Sequence, residues 1–152
     1  MGRTISSGSF KNETGAVIPA VAFSQYLEAT TADQSTTATT PATALTLAEM
    51  TYTSTPKKST NFWEVTFMGT FENTGDENSK CGVFVDGVLQ AETESNTYNS
   101  TDPNWTGNLS CQWRGQLSES PHTVTIRVWT NDGTLTAVGI KHNMIIREID
   151  EG

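Results

Sequence analysis

From Trp63 to Phe71 the chain alternates apolar and polar residues, with Trp63, Val65, Phe67, Gly69 and Phe71 in one phase and Glu64, Thr66 and Thr70 in the other. Successive side chains of an extended backbone point to opposite faces, so this segment predicts a strand with one face in a core. The same period returns in Leu109-Ser-Cys111-Gln-Trp113-Arg-Gly115-Gln-Leu117 and in Val124-Thr-Ile126-Arg-Val128. No stretch of comparable length repeats at helical spacing. The pattern predicts an all-β fold.

Further strands follow from shorter signals. Ala20 to Leu27 reads as a first strand, and a polar, threonine-rich connector runs from Thr30 to Pro41. Leu45, Leu47, Met50 and Tyr52 mark a second strand whose phase slips near Ala48 and Glu49, the signature of a bulge. Asp86-Gly87 divides two apolar runs, a two-residue hairpin signal, because a type I′ turn needs positive φ at both central residues. A long polar loop is expected from Glu94 to Asn108, carrying Asp102, Asn104 and Trp105, with further strands near 122–130 and 134–149. Seven or eight strands at close spacing select a β-sandwich or jelly roll over residues 20–152. Residues 1–19 hold no sustained period and read as an extended N-terminal arm.

Composition narrows the chemistry. A chain of 152 residues is expected to form one domain that needs neither disulfide nor metal to fold. Its net charge of −8 argues against a nucleic-acid partner, which requires clustered Lys and Arg. No segment has the ~20 apolar residues of a membrane-spanning helix, and Met1-Gly-Arg-Thr-Ile lacks the apolar run of a leader. Cys81 and Cys111 both fall on inward phases, where reduced thiols act as small hydrophobes, with a disulfide as the other reading. The two histidines, His122 and His142, have no cluster of further metal ligands, and no Gly-x-Ser-x-Gly elbow supplies a nucleophile. Asp76-Glu77-Asn78 lacks the regular oxygen spacing of a calcium loop. The expectation is therefore no catalytic residue, no metal and no cofactor. Trp63 and Trp113 share a phase with core residues, whereas Trp129 is out of phase with Ile126 and Val128 and is expected to face a partner subunit or close a sheet edge.

Several motifs in order carry a resemblance. Ala22-Phe23-Ser24-Gln25-Tyr26-Leu27 resembles the opening strand of C1q/TNF-like jelly rolls, and Ser59-Thr-Asn-Phe62-Trp63-Glu-Val65-Thr-Phe67 is similar to their central strand. Val83-Phe-Val85-Asp86-Gly87-Val88 looks like their hairpin. Ser118-Glu-Ser-Pro-His122-Thr-Val124-Thr-Ile126 and the closing Met144-Ile-Ile-Arg-Glu-Ile149 resemble late strands of related tailed-bacteriophage structural proteins. With no collagen stalk or leader in the sequence, the resemblance points to those phage relatives. It implies a virion protein assembled in the host cytoplasm: a homotrimeric capsid decoration (cement) protein whose partners are its own copies and the major capsid protein. The arm residues Ile5, Phe10, Val17 and Ile18 would then reach across capsomer joints. The alternative is a tail-fibre tip domain whose loop residues Asp102, Asn104 and Trp105 meet host glycans.

Overall fold

The computed structural model describes residues 10–11, 17–30, 32–75, 78–95 and 105–152. The elements are β1 (Phe10–Lys11), β2 (Val17–Ile18), β3 (Ala20–Glu28), β4 (Gln34–Thr36), β5 (Leu45–Ser54), β6 (Phe62–Asn73), β7 (Ser79–Val85), β8 (Val88–Ser95), β9 (Trp105–Gln116), β10 (His122–Thr130) and β11 (Leu135–Asp150). Nine of these form two antiparallel sheets: a four-stranded sheet in the order β5-β10-β7-β8 and a five-stranded one in the order β3-β11-β6-β9, with β4 also paired to β11. Sheet neighbours far apart in sequence, such as β3 beside β11, give the crossed connections of a jelly roll. No helix long and apolar enough to cross a membrane occurs among the described residues.

The core lies between the sheets and follows the alternation read from the sequence. Trp63, Val65, Phe67 and Phe71 of β6 are all at most 1 % exposed. They meet Val124, Ile126 and Val128 of β10, Cys81 and Val83 of β7, Leu109 and Cys111 of β9, and Met144 and Ile146 of β11 in a single cluster. Each such side chain contributes roughly 1.5–3 kcal/mol of burial. Phe23 of β3 and Tyr52 of β5 stack at 5.6 Å between centroids, closing one side of the sandwich. Trp113 is only half-buried and lies over the core margin against Gly115.

Turn chemistry fixes the connections. Asp86 (φ 50°) and Gly87 (φ 81°) both take the left-handed conformation that the Asp-Gly hairpin requires. Gly133 (φ 72°) sits so close to Gly75 that an added Cβ would lie 2.3 Å from the Gly75 nitrogen. The phase slip in β5 is a bulge: Thr125 pairs with Thr51, yet Arg127 pairs with Thr46, so both Leu47 and Met50 turn inward. A larger irregularity interrupts β11, where Ala137 pairs with Phe71 but His142 with Gly69. His142 is buried there, and desolvation lowers its pKa, so it is a neutral core residue.

Several expectations are corrected. The connector from Thr30 to Pro41 contains a strand, β4, which borrows the open edge of β11 at Leu135–Ala137 rather than carrying apolar residues of its own. Trp105 opens β9, paired with Asn73, and is not part of a loop, because the β6–β9 ladder runs the whole length of β6. Within residues 1–19 the described residues form a two-stranded ladder, Phe10 with Ile18 and Lys11 with Val17. Trp129 faces neither a partner nor a sheet edge. At 1 % exposure it lies on the outer side of the four-stranded sheet, over Gly82 and edge-on to Phe84.

Candidate self-association face

The outer side of the five-stranded sheet is built from residues in the phase opposite to the core. Backbone register lines them up across four strands. Tyr26 pairs with Ile145, Ile145 with Thr66, and Thr66 with Gln112. The next row is Ser24, Arg147, Glu64 and Arg114. Towards one end Ile149 lies between Val21 and Phe62, and towards the other Asn143 lies between Glu28 and Met68. Val21, Tyr26 and Met68 are 58 %, 52 % and 54 % exposed, and Phe62, Ile145 and Ile149 are half-buried. Apolar groups standing in register on an otherwise polar face form a patch rather than isolated exposures.

Charges of both signs cross the middle of this face. Glu64 has Arg147 beside it on β11 and Arg114 on β9. The Arg114 Nε lies 3.6 Å from Glu64 Oε1, its guanidinium also bonds Glu151, and its plane stacks 4.4 Å from the Phe62 ring centre. Arg147 is exposed. Shallow hollows flank the Glu64–Thr66 column, one bounded by Gln112 and Arg114, the other by Ile145 and Arg147.

A second constellation occupies one end of the sandwich, where the β9–β10 turn meets the Asp86-Gly87 hairpin. His122 Nδ1 lies 2.6 Å from Asp86 Oδ2, and its Nε2 lies 3.0 Å from Ser118 Oγ. The Asp86 carboxylate also accepts the Thr123 N–H at 2.9 Å. That backbone bond first, and the histidine second, hold its pKa below the usual carboxylate value. Acid, imidazole and hydroxyl stand in the order of an acyl-transfer relay. Ser118 to Pro121 are all exposed, however, and Ser118 Oγ is shared with Ser120 at 2.7 Å. Acyl transfer draws its rate from a water-excluded site with donors aimed at the oxyanion. In this open turn the cluster acts as a clasp between two loops.

No protein-family description matches the sequence, and no curated protein matches it. Among solved structures the chain is similar to the Eiger TNF of S. frugiperda, with a TM-score of 0.54 and 9 % identity, covering 85 % of this chain and 93 % of that one. The fold is a TNF-like jelly roll. A β-glucosidase from Paenibacillus barengoltzii overlaps more loosely, with a TM-score of 0.39 and 13 % identity over 66 % of this chain and 10 % of that chain.

The residues singled out from the sequence are Ile5, Phe10, Val17, Ile18, Asp102, Asn104 and Trp105. Ile5, Asp102 and Asn104 lie outside the described residues. Phe10, Val17 and Ile18 contribute backbone to the β1–β2 ladder, and Trp105 begins β9. Among the described residues no group of His, Cys, Asp or Glu is placed to hold a metal ion. Sequence reading missed the apolar columns because Tyr26, Met68, Ile145 and Ile149 are spread over the solvent phases of three strands. Their signal was available: three strands, β3, β6 and β11, all carry apolar residues in the phase assigned to water.

Proposed function

We propose that the protein is a non-catalytic virion component, a homotrimeric capsid decoration protein that binds the major capsid protein and stabilises the assembled shell. The observation that carries this reading is the outer face of the five-stranded sheet, with Val21, Tyr26, Met68 and Ile145 flanked by Glu64, Arg114 and Arg147. Such a face is costly to leave in water, and its opposed charges let copies of one chain meet: Glu64 of one copy answers Arg147 of the next. Three copies closing a ring use the same pair of surfaces at every joint. The arm then remains available for the capsid lattice, and binding the assembled shell in preference to free subunits stabilises the shell by mass action.

The test is cosedimentation with purified empty capsids. The full chain is expected to pellet with capsids saturably. A variant lacking residues 1–19 is expected to stay in the supernatant while melting at the parent temperature. Equal binding by the truncated chain contradicts the role given to the arm. Failure of the full chain to bind capsids, together with saturable glycan binding lost in Trp105→Ala, would place the domain at a fibre tip instead.

A further inference from the structure

The chain holds two Asp-Gly sequences, Asp86-Gly87 and Asp132-Gly133. Both lie in turns between strands, and in both the glycine takes the left-handed conformation, at φ 81° and 72°. Their aspartates are held in different ways. Asp86 Oδ2 lies 2.6 Å from His122 Nδ1, and Asp86 Oδ1 accepts the Thr123 N–H at 2.9 Å. Those bonds commit the Asp86 carboxylate to β10. Asp132 is exposed, and its Oδ1 accepts the N–H of Gly133, the next residue, at 2.7 Å. This side chain is folded back onto its own following peptide bond.

We propose that Asp132 is a modification site, at which the aspartyl link to Gly133 closes into a succinimide and reopens as isoaspartate. The reaction needs the Gly133 nitrogen to meet the Asp132 carboxyl carbon, and a reacting pair must approach within roughly 3–3.5 Å. At Asp132 a carboxyl oxygen already touches that nitrogen, so the carbon is one bond further along. Gly133 adds no side chain to hinder the approach. The rest of the turn keeps the geometry in place. The Thr130 hydroxyl donates to the Asp132 main-chain carbonyl at 2.6 Å, and the Asp132 N–H donates to the same hydroxyl at 3.3 Å.

Atoms balance without any co-reactant except water. The Gly133 nitrogen attacks Asp132 Cγ, the new N–C bond forms, and a Cγ–O bond breaks. The hydroxyl leaves with the amide proton as water. Water then adds to the Asp132 main-chain carbonyl carbon, the bond from that carbon to the Gly133 nitrogen breaks, and the chain continues through Cγ. The Thr130 hydroxyl, already donating to that carbonyl oxygen, is placed to stabilise the charge that builds there. Water adding at Cγ instead restores aspartate.

The product puts one extra carbon into the backbone where the structure has no room for it. An added Cβ on Gly133 would lie 2.3 Å from the Gly75 nitrogen, and beside it Thr74 and Thr134 exchange two bonds, at 3.2 and 3.0 Å. Isoaspartate at Asp132 therefore loosens the junction between the β6–β7 connection and the β10–β11 turn.

The experiment ages the full chain in warm, mildly acidic buffer, with a parallel sample unfolded in urea. Peptide mapping with electron-transfer fragmentation then locates isoaspartate, and the aged chain is separated by charge and melted. In the folded chain Asp132 should convert at least about tenfold faster than Asp86, the scale of a modest orientation effect. In urea, where neither aspartate is held, the two should convert at similar rates. The isoaspartyl fraction should melt below the fresh protein. Absence of isoaspartate at Asp132, equal conversion of both aspartates in the folded chain, or an isoaspartyl fraction that melts with the parent would each overturn the proposal. All three are read on the unmutated protein.

Discussion

Glu148 shows what a single buried carboxylate does for this sandwich. At 1 % exposure in β11, its Oε1 accepts the Lys57 N–H at 2.7 Å and the Asn61 side-chain amide at 2.8 Å, anchoring the β5–β6 connection. Glu148→Ala leaves two inward-facing donors without an acceptor and should cost about 2–4 kcal/mol. A urea midpoint measured against the parent checks this, and a change under about 0.5 kcal/mol would show that water replaces the carboxylate without loss. Asp86 makes a pH-dependent contribution of the opposite exposure, at the surface. Its folded pKa is depressed, so its stabilising effect is complete above the unfolded carboxylate value near 3.8 and is lost as pH falls through the lower folded value. The stability gap between the parent and Asp86→Asn should therefore be widest at neutral pH and should close below pH 3.8. A gap independent of pH would mean that the carboxylate charge has no part in the clasp. The sequence disclosed Asp86 as a turn residue through the following Gly87, but not its pairing with His122. That contact joins residues 36 apart and depends on two turns meeting at one end of the sandwich.

At the scale of the element, strands with one phase in the core were legible and those without it were not. β6, β7 and β10 announced themselves because period-two burial leaves a local record in Trp63 to Phe71, in Cys81 to Val85 and in Val124 to Val128. β4 left none: Gln34, Ser35 and Thr36 form a strand only because β11 offers them an edge. Trp129 misled for a related reason, since the absence of a side chain at Gly82 makes a seat for it on a face that the pattern assigns to solvent. The irregularity in β11 was equally silent. Within it Ile140 holds φ 54° while 67 % exposed, a left-handed backbone that a β-branched residue adopts only at a cost. Ile140→Gly removes the strain and little packing, so thermal and urea unfolding should show a gain of about 0.5–1 kcal/mol. A loss of that size would show that the Ile140 side chain contributes through contacts that outweigh its backbone strain.

For the molecule as a whole, the fold and the face that copies would share were legible to different degrees. Alternation and an Asp-Gly hairpin were enough to select a two-sheet sandwich, because each signal is confined to a few consecutive residues. The apolar columns of the outer face required register across β3, β11, β6 and β9, which no single stretch of sequence encodes. Only the register brings Tyr26 beside Ile145 and sets Glu64 between two arginines. The charge of −8 at neutral pH keeps copies apart at long range, so association through this face should strengthen with added salt until its own ion pairs are screened. The most direct measurement is the native mass of the purified full chain, taken alongside Ile145→Glu, which sets a charge in the middle of the apolar columns. The account predicts a trimer for the parent and a folded monomer for the variant. A parent that remains monomeric at micromolar concentration, or a variant that assembles as the parent does, would contradict it.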